Sequence, residues 1–361
     1  MNKKLVSLAM AAMMMVSLAA CGTANSDVTP NPSADAAKTR AYVDMDGTQV
    51  QIPDNPQRVV DLWPANNQVL TLLGVADRLV GTTSGAQTLE MMVKINPQIK
   101  DLPSLIEGEE VNVEGLLNVQ PDLVILNDRG VETARKSGVA CVNLHFDDFD
   151  GLKEMVKKTA ELFGGEAVEK GNAFITYFDG NLKKVGDIAK TIPEKDRKKV
   201  YYARNDSGKL LSSDGAKTMA AEWIESIGAI NVASSAVEGF NKEISMEHIL
   251  KEDPDVIVLM DIKDPEKMRA ELLNDAKWKG IKAVKNKQVF INPSGVFYWD
   301  RYSTEEAMQI LWAAKMVYPE YYEELDLVEE TQAFYKDFFQ YALSEEEANE
   351  LLNTKLNAEI K

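Results

Sequence analysis

Arg204 and Arg301 offer guanidinium groups that can pair with anionic oxygens, and Trp63, Tyr298 and Trp299 offer flat apolar faces. Asn66, Thr83, Arg129 and Ser213 add further hydrogen-bonding groups, and His145 and Tyr298 are the residues able to touch a metal. Each has a plainer alternative. Arg301 can bridge to Asp300 or a nearby Glu, both tryptophans can pack inward, and a lone histidine often only satisfies its neighbours. Covalent or acid–base chemistry finds less support. The chain has two histidines and two cysteines, no Gly-x-Ser-x-Gly elbow, and no Gly-x-x-x-x-Gly-Lys-Ser/Thr phosphate loop. Carboxylate chemistry stays open, because Asp and Glu total 57.

What these residues share is position. Each follows or lies near a short apolar run bounded by turn residues: Arg58–Asp61, Leu79–Thr82, Leu123–Leu126, Val139–Val142, Val200–Ala203, Val256–Leu259 and Val289–Ile291. Helical patterns alternate with these runs, which predicts parallel sheets covered on both faces. Ligands of open α/β sheets sit at the carboxyl ends of the strands. One stretch breaks the alternation. Glu166–Ile192 lacks proline and carries Phe174, Phe178, Leu182, Val185 and Ala189 on one helical face. At 1.5 Å per residue it spans about 40 Å before Pro193 ends it.

The segment 111–126 aligns without gaps to 244–259, with Glu, Leu, Pro, Asp and Leu identical: Glu114 with Glu247, Leu117 with Leu250, Pro121 with Pro254, Asp122 with Asp255, and Leu126 with Leu259. Each copy reads as a short helix, a Pro-Asp turn and a buried strand, and one copy lies on either side of the long helix.

The chain of 361 residues is 45% hydrophobic with a net charge of −17, which fits about two globular domains and argues against a nucleic-acid partner. Lys3 and Lys4 precede an uncharged stretch, Leu5–Ala20, too short for a spanning helix; an export signal is the better reading. Leu18-Ala19-Ala20-Cys21 is similar to a bacterial lipobox, in which Cys21 would be lipidated. Cys141 then remains as a buried core thiol, with no disulfide available. The expected organisation is signal peptide 1–20, lipidated Cys and flexible tether 21–45, first lobe 46–164, connecting helix 165–193, and second lobe with C-terminal helices 194–361. Residues 343–361 are expected to fray.

On several pieces together the sequence resembles the substrate-binding proteins of ATP-binding-cassette importers for iron-siderophores, haem and cobalamin, across residues 50–320. The pieces are Pro56-Gln-Arg58-Val-Val, Leu72-Leu-Gly74-Val-Ala-Asp77-Arg-Leu-Val-Gly81, Val113 to Ile125, Ile227-Gly-Ala-Ile-Asn231, Met246-Glu247-His-Ile-Leu, Pro254-Asp-Val-Ile-Val and Tyr318-Pro319. The resemblance implies an α/β fold of two Rossmann-like lobes with mostly parallel sheets, joined by one long rigid helix, with the strand ends facing across a cleft.

It also implies that Glu114 and Glu247 dock onto arginines of a membrane permease, although a glutamate near a helix start is favourable in its own right. The implied role is non-enzymatic: an extracytoplasmic, lipid-anchored, monomeric receptor without a cofactor, working with a permease and its ATPase. The scarcity of histidine favours a pre-formed metal complex over a bare divalent ion. A ferric siderophore comes first, then haem, cobalamin, a nickel or cobalt chelate, or an oxyanion. A surface adhesin and a lipid-anchored enzyme are the rivals from other classes.

Overall fold

A computed structural model describes residues 38–108, 110–204, 210–260 and 263–358. The export signal, Cys21 and the tether up to residue 37 lie outside the described residues. The tether does not reach residue 45 as expected. Thr39–Val43 (β1) pairs antiparallel with Gln49–Pro53 (β2). Buried Asp44 anchors this hairpin, taking Arg135 at 2.7 Å and the backbone N–H of Asn143 at 3.0 Å.

The first lobe is built on Val59–Asp61 (β3), Leu79–Gly81 (β4), Leu123–Leu126 (β7) and Cys141–Asn143 (β8). Ile106–Glu107 (β5) and Glu110–Val111 (β6) form a small antiparallel pair beside them. The second lobe uses Lys199–Arg204 (β9), Ile230–Asn231 (β11), Val256–Met260 (β13) and Val289–Ile291 (β14); Ser212–Ser213 (β10) pairs with Lys242–Glu243 (β12). The main sheets have orders β4-β3-β7-β8 and β11-β9-β13-β14, parallel throughout. Both therefore place their first, second, third and fourth strands identically, so the repeat in sequence is a repeat in topology. β7 and β13 are buried along their whole length, which is why they read as continuous aliphatic runs. The run expected at Val139–Val142 shifts to Cys141–Asn143. Cys141 is a buried free thiol there, and burial pushes it up to about 11.

Gly165–Ala189 forms one continuous helix of 25 residues, about 37 Å long. It buries Phe174, Phe178, Val185 and Ala189 as expected, Leu182 packs half-buried against the same core, and Asn181 beside it is buried as well. The Asn181 amide donates to the Ala307 carbonyl at 2.9 Å, so this helix is bonded to the one at Glu306–Val317. Gly171 lets it approach the helix Phe149–Phe163: a methyl group at that position would sit 3.1 Å from the Ala160 Cβ.

Two further contacts join the lobes. Buried Gln68, on the helix Pro64–Leu72, accepts from the Thr304 hydroxyl at 2.8 Å and from Ser303 at 3.2 Å. Glu222 accepts from the Phe149 N–H at 2.6 Å. The expected fraying of the C-terminal stretch is overturned for the described residues through 358. Ser344 and Glu347 form a capping box on Glu345–Leu351, and Glu347 also reaches Lys94 of the first lobe at 3.5 Å. The C-terminal helices therefore touch both lobes rather than the second alone. No helix among the described residues is long and apolar enough to cross a membrane.

Candidate functional site

The site begins with one buried carboxylate at the end of β3. Asp61 accepts from the Trp63 N–H at 3.0 Å and from the Asn66 amide at 2.9 Å, which fixes the turn carrying Trp63. Burial raises its carboxyl to about 8. Trp63 stands 5.9 Å from the His145 ring and 5.5 Å from the Phe146 ring, centroid to centroid. His145, just past β8, turns its Nε2 toward Asp147 at 3.3 Å and Asp128 at 3.8 Å. Three adjacent rings and an acidic rim thus form the first-lobe wall.

The facing wall belongs to the second lobe. Arg204 ends β9, is almost wholly buried, and donates to Asp214 at 3.0 Å while its guanidinium lies 3.4 Å from the Phe240 ring centre. Arg301 lies 3.4 Å from Asp300 and 5.0 Å from the Tyr298 ring. Burial pushes Asp214 upward despite the opposing pull of Arg204. Tyr302 crosses between the walls. Its ring meets Trp63 at 5.8 Å, Phe146 at 5.5 Å and Phe240 at 6.0 Å. Its φ of +52° is a costly conformation for a bulky residue, and it aims the ring at the opposite lobe. Burial raises its hydroxyl to about 12.

The loop carrying Tyr302 is held from below. Glu305 is buried and accepts from the Phe297 N–H at 2.9 Å, the Trp299 indole at 2.9 Å and the Tyr335 hydroxyl. Burial pushes its carboxyl to about 7.

Between the walls lies a cavity of about 490 Å³. Its ionisable lining comprises Asp147, Asp148, Asp214 and Glu222 against Lys217 and Arg301, with Phe240 and Tyr302 as apolar surface. Burial also raises the Glu222 carboxyl. Four carboxylates against two cations make this an electronegative pocket with aromatic walls.

The residues picked out from the sequence divide into groups. Arg301 lines this cavity, while Trp63 and His145 pack against Tyr302 and Arg204 packs against Phe240, so these three stand behind residues that line it. Asn66 is wholly buried, with its amide on Asp61 and its oxygen taken by Thr159 at 3.0 Å, so it supports the turn instead of facing a guest. Ser213 is equally enclosed and donates to the Tyr202 carbonyl at 2.6 Å. Trp299 has no exposed surface and is fixed on Glu305, as the core alternative for it required. Thr83 caps the helix Ser84–Gln87 by accepting from the Ala86 N–H. Tyr298 lines a neighbouring cavity of about 430 Å³, which Lys94 and Glu347 also border. Arg129 is exposed on the loop after β7. Among the described residues no three His, Cys, Asp or Glu side chains are grouped to hold a metal ion.

Phe240 and Glu222 went unnoticed in the sequence. A large apolar residue directly after Gly239, between helical segments, was the available signal for Phe240. Glu222 had none, since it reads as one more acid on a helix.

Glu114 and Glu247 are exposed in the first turns of Val113–Asn118 and Met246–Glu252, the helices that lead into β7 and β13.

A family model described as periplasmic binding protein matches residues 59–295. The molybdate-binding protein MolA of Haemophilus influenzae is 26% identical over 85% of this chain and 93% of its own length. The iron(3+)-hydroxamate-binding protein YxeB of Bacillus subtilis is 24% identical over 86% of this chain and 96% of its own. A crystal structure of a periplasmic solute-binding protein from Veillonella parvula superposes with a TM-score of 0.77 at 23% identity, covering 89% of this chain and 99% of that one. MolA bound to molybdate superposes at 0.74, with 25% identity over 84% and 99%.

Proposed function

This chain belongs to the periplasmic binding protein family of ABC importers, and from that premise we propose that it captures a neutral or cationic metal chelate, foremost a ferric hydroxamate, and hands it to a permease. Solute capture, not catalysis, is the work of this family. The observation that carries the ligand class is the cavity itself. At about 490 Å³ it falls within the ~300–1,000 Å³ typical of small-molecule sites. With Arg204 paired to Asp214 and Arg301 to Asp300, the lining keeps Asp147, Asp148 and Glu222 against Lys217, so carboxylates still outnumber cations.

A ferric tris-hydroxamate is neutral, or positive when its backbone carries an amine. It suits such a lining better than a triply negative ferric tris-catecholate or a doubly negative molybdate. Phe240 and Tyr302 supply flat contact for its organic shell, with Tyr302 backed by buried Trp63 and Phe146 and by His145. The likeness to MolA favours a second reading, molybdate itself, against which the electronegative lining weighs.

Calorimetry with ferric desferrioxamine, ferric enterobactin, nickel–histidine and molybdate decides between the two. Submicromolar binding of the hydroxamate, with catecholate and molybdate at least 100-fold weaker, is the expected result. Tight molybdate binding with none of the hydroxamate would overturn the ligand class.

Delivery rests on Glu114 and Glu247, one on each lobe, as paired carboxylates facing a basic permease surface. Reversing both to Lys should abolish uptake and leave ligand affinity intact; normal uptake would remove this role. Cys21 is the proposed lipid anchor outside the cytoplasm. Cys21→Ala should release the protein from the membrane fraction, and retention there would refute the anchor.

A further inference from the structure

Six large apolar side chains are exposed among the described residues, and two of them, Leu117 at 48% and Leu250 at 49%, occupy the same position of the internal repeat. A single exposed leucine needs no explanation. The same exposure in both copies is different, because the flanking residues show that neither helix is loosely packed. Leu116 and Ile249, immediately before them, are both fully buried in the cores of their own lobes. Each exposed leucine also lies three residues after an exposed glutamate, Glu114 or Glu247, so acid and leucine share a helix face. The two lobes thus present the same small motif, a carboxylate with an apolar side chain one turn on, at equivalent places in two sheets of identical order.

We propose that Leu117 and Leu250 are paired apolar anchors of the docking face, each seated in an apolar socket beside a cationic group of the permease. The inference rests on the docking reading of Glu114 and Glu247. The commitment to this occupant follows from charge complementarity and from the repetition: a surface that shows one motif twice fits a partner offering one socket twice, as a two-fold membrane dimer does. The glutamates steer and orient, and their contribution weakens with salt. The leucines lose water on contact, and their contribution does not.

The test uses the whole mature protein and its cognate permease–ATPase complex in nanodiscs, with binding read by biosensor at low and high salt. Leu117→Gln with Leu250→Gln should weaken binding about 25-fold at both salt concentrations. Leu117→Met with Leu250→Met should bind like wild type. Glu114→Gln with Glu247→Gln should weaken binding mainly at low salt and flatten the salt dependence. Thermal unfolding and calorimetry with ferric desferrioxamine, unchanged in all three, exclude misfolding. If the glutamine-for-leucine variant binds within twofold of wild type while the glutamate variant fails, the anchors are refuted and the docking reading stands. If neither variant loses affinity, both fall.

Discussion

The two lobes share a strand order and differ in what their strand ends carry. The first lobe presents rings and an acidic rim: Trp63, His145 and Phe146 with Asp128 and Asp147. The second presents buried ion pairs, Arg204 with Asp214 and Arg301 with Asp300, set around Tyr202 and Phe240. The scaffold fixes where a loop begins, and the loop's own residues decide whether that place becomes a soft wall or a charged floor. In the wall of rings Trp63 and Phe146 are almost wholly buried and hold Tyr302 in place, and only His145 keeps an exposed edge that tolerates change. A floor of buried charges is structural, because removing one partner strands the other away from water.

The sharpest way to break this contrast is Arg204→Ala. Losing one member of an almost wholly buried pair should cost about 3–5 kcal/mol, measured by urea unfolding. Pairing it with Asp214→Asn should recover part of that loss; a cost below 1 kcal/mol for the single change would show that the floor is not structural.

Next comes the pH response of the support under the second-lobe loop. Glu305 has its folded pKa raised to about 7 from a usual 4.5, so the folded state holds the proton more tightly. That contribution is fully present below about 4.5 and is lost as pH rises through 7, up to about 3 kcal/mol. Glu305→Gln should flatten the stability profile across that window, and an unaltered slope would contradict the assignment.

Gln68→Ala tests the clasp between the halves. It removes the acceptor for Thr304 and Ser303 at a cost of about 2 kcal/mol. It should also widen the ligand-free scattering profile, whereas wild type should barely contract on binding. A large contraction of wild type would refute the rigid connection.

The smallest effect is expected on the soft wall. His145→Ala should lower affinity for ferric desferrioxamine about tenfold, equivalent to about 1.4 kcal/mol, with little change in stability. Equal losses of stability from His145→Ala and Arg204→Ala would erase the distinction between the lobes.

Periodicity exposed most of the scaffold. Buried parallel strands must be apolar on both faces, so β7, β9, β13 and β14 appear as continuous runs. The connecting helix announced itself through Phe174, Phe178, Val185 and Ala189, and Gly171, which serves a close helix crossing, does not break it. The hairpin at Thr39–Pro53 was hidden, since its strands alternate exposed residues with only occasional buried ones. The cleft was half legible. Position after a strand marked Trp63, His145, Arg204 and Arg301, but the same rule also marked Asn66, Ser213 and Trp299, whose side chains turn inward to satisfy buried partners.

By itself, then, the sequence determined two repeated α/β halves, a rod between them, and a matched Glu and Leu on each. Those follow from local propensity and hydrophobic pattern, which act over a few residues at a time. Only the tertiary structure decided that Tyr302 reaches across to Trp63, that Arg204 is balanced by Asp214, and that acids dominate the cavity. These contacts join residues 10 to 239 positions apart, and their energies depend on burial and mutual distance, neither of which is written in the order of the chain.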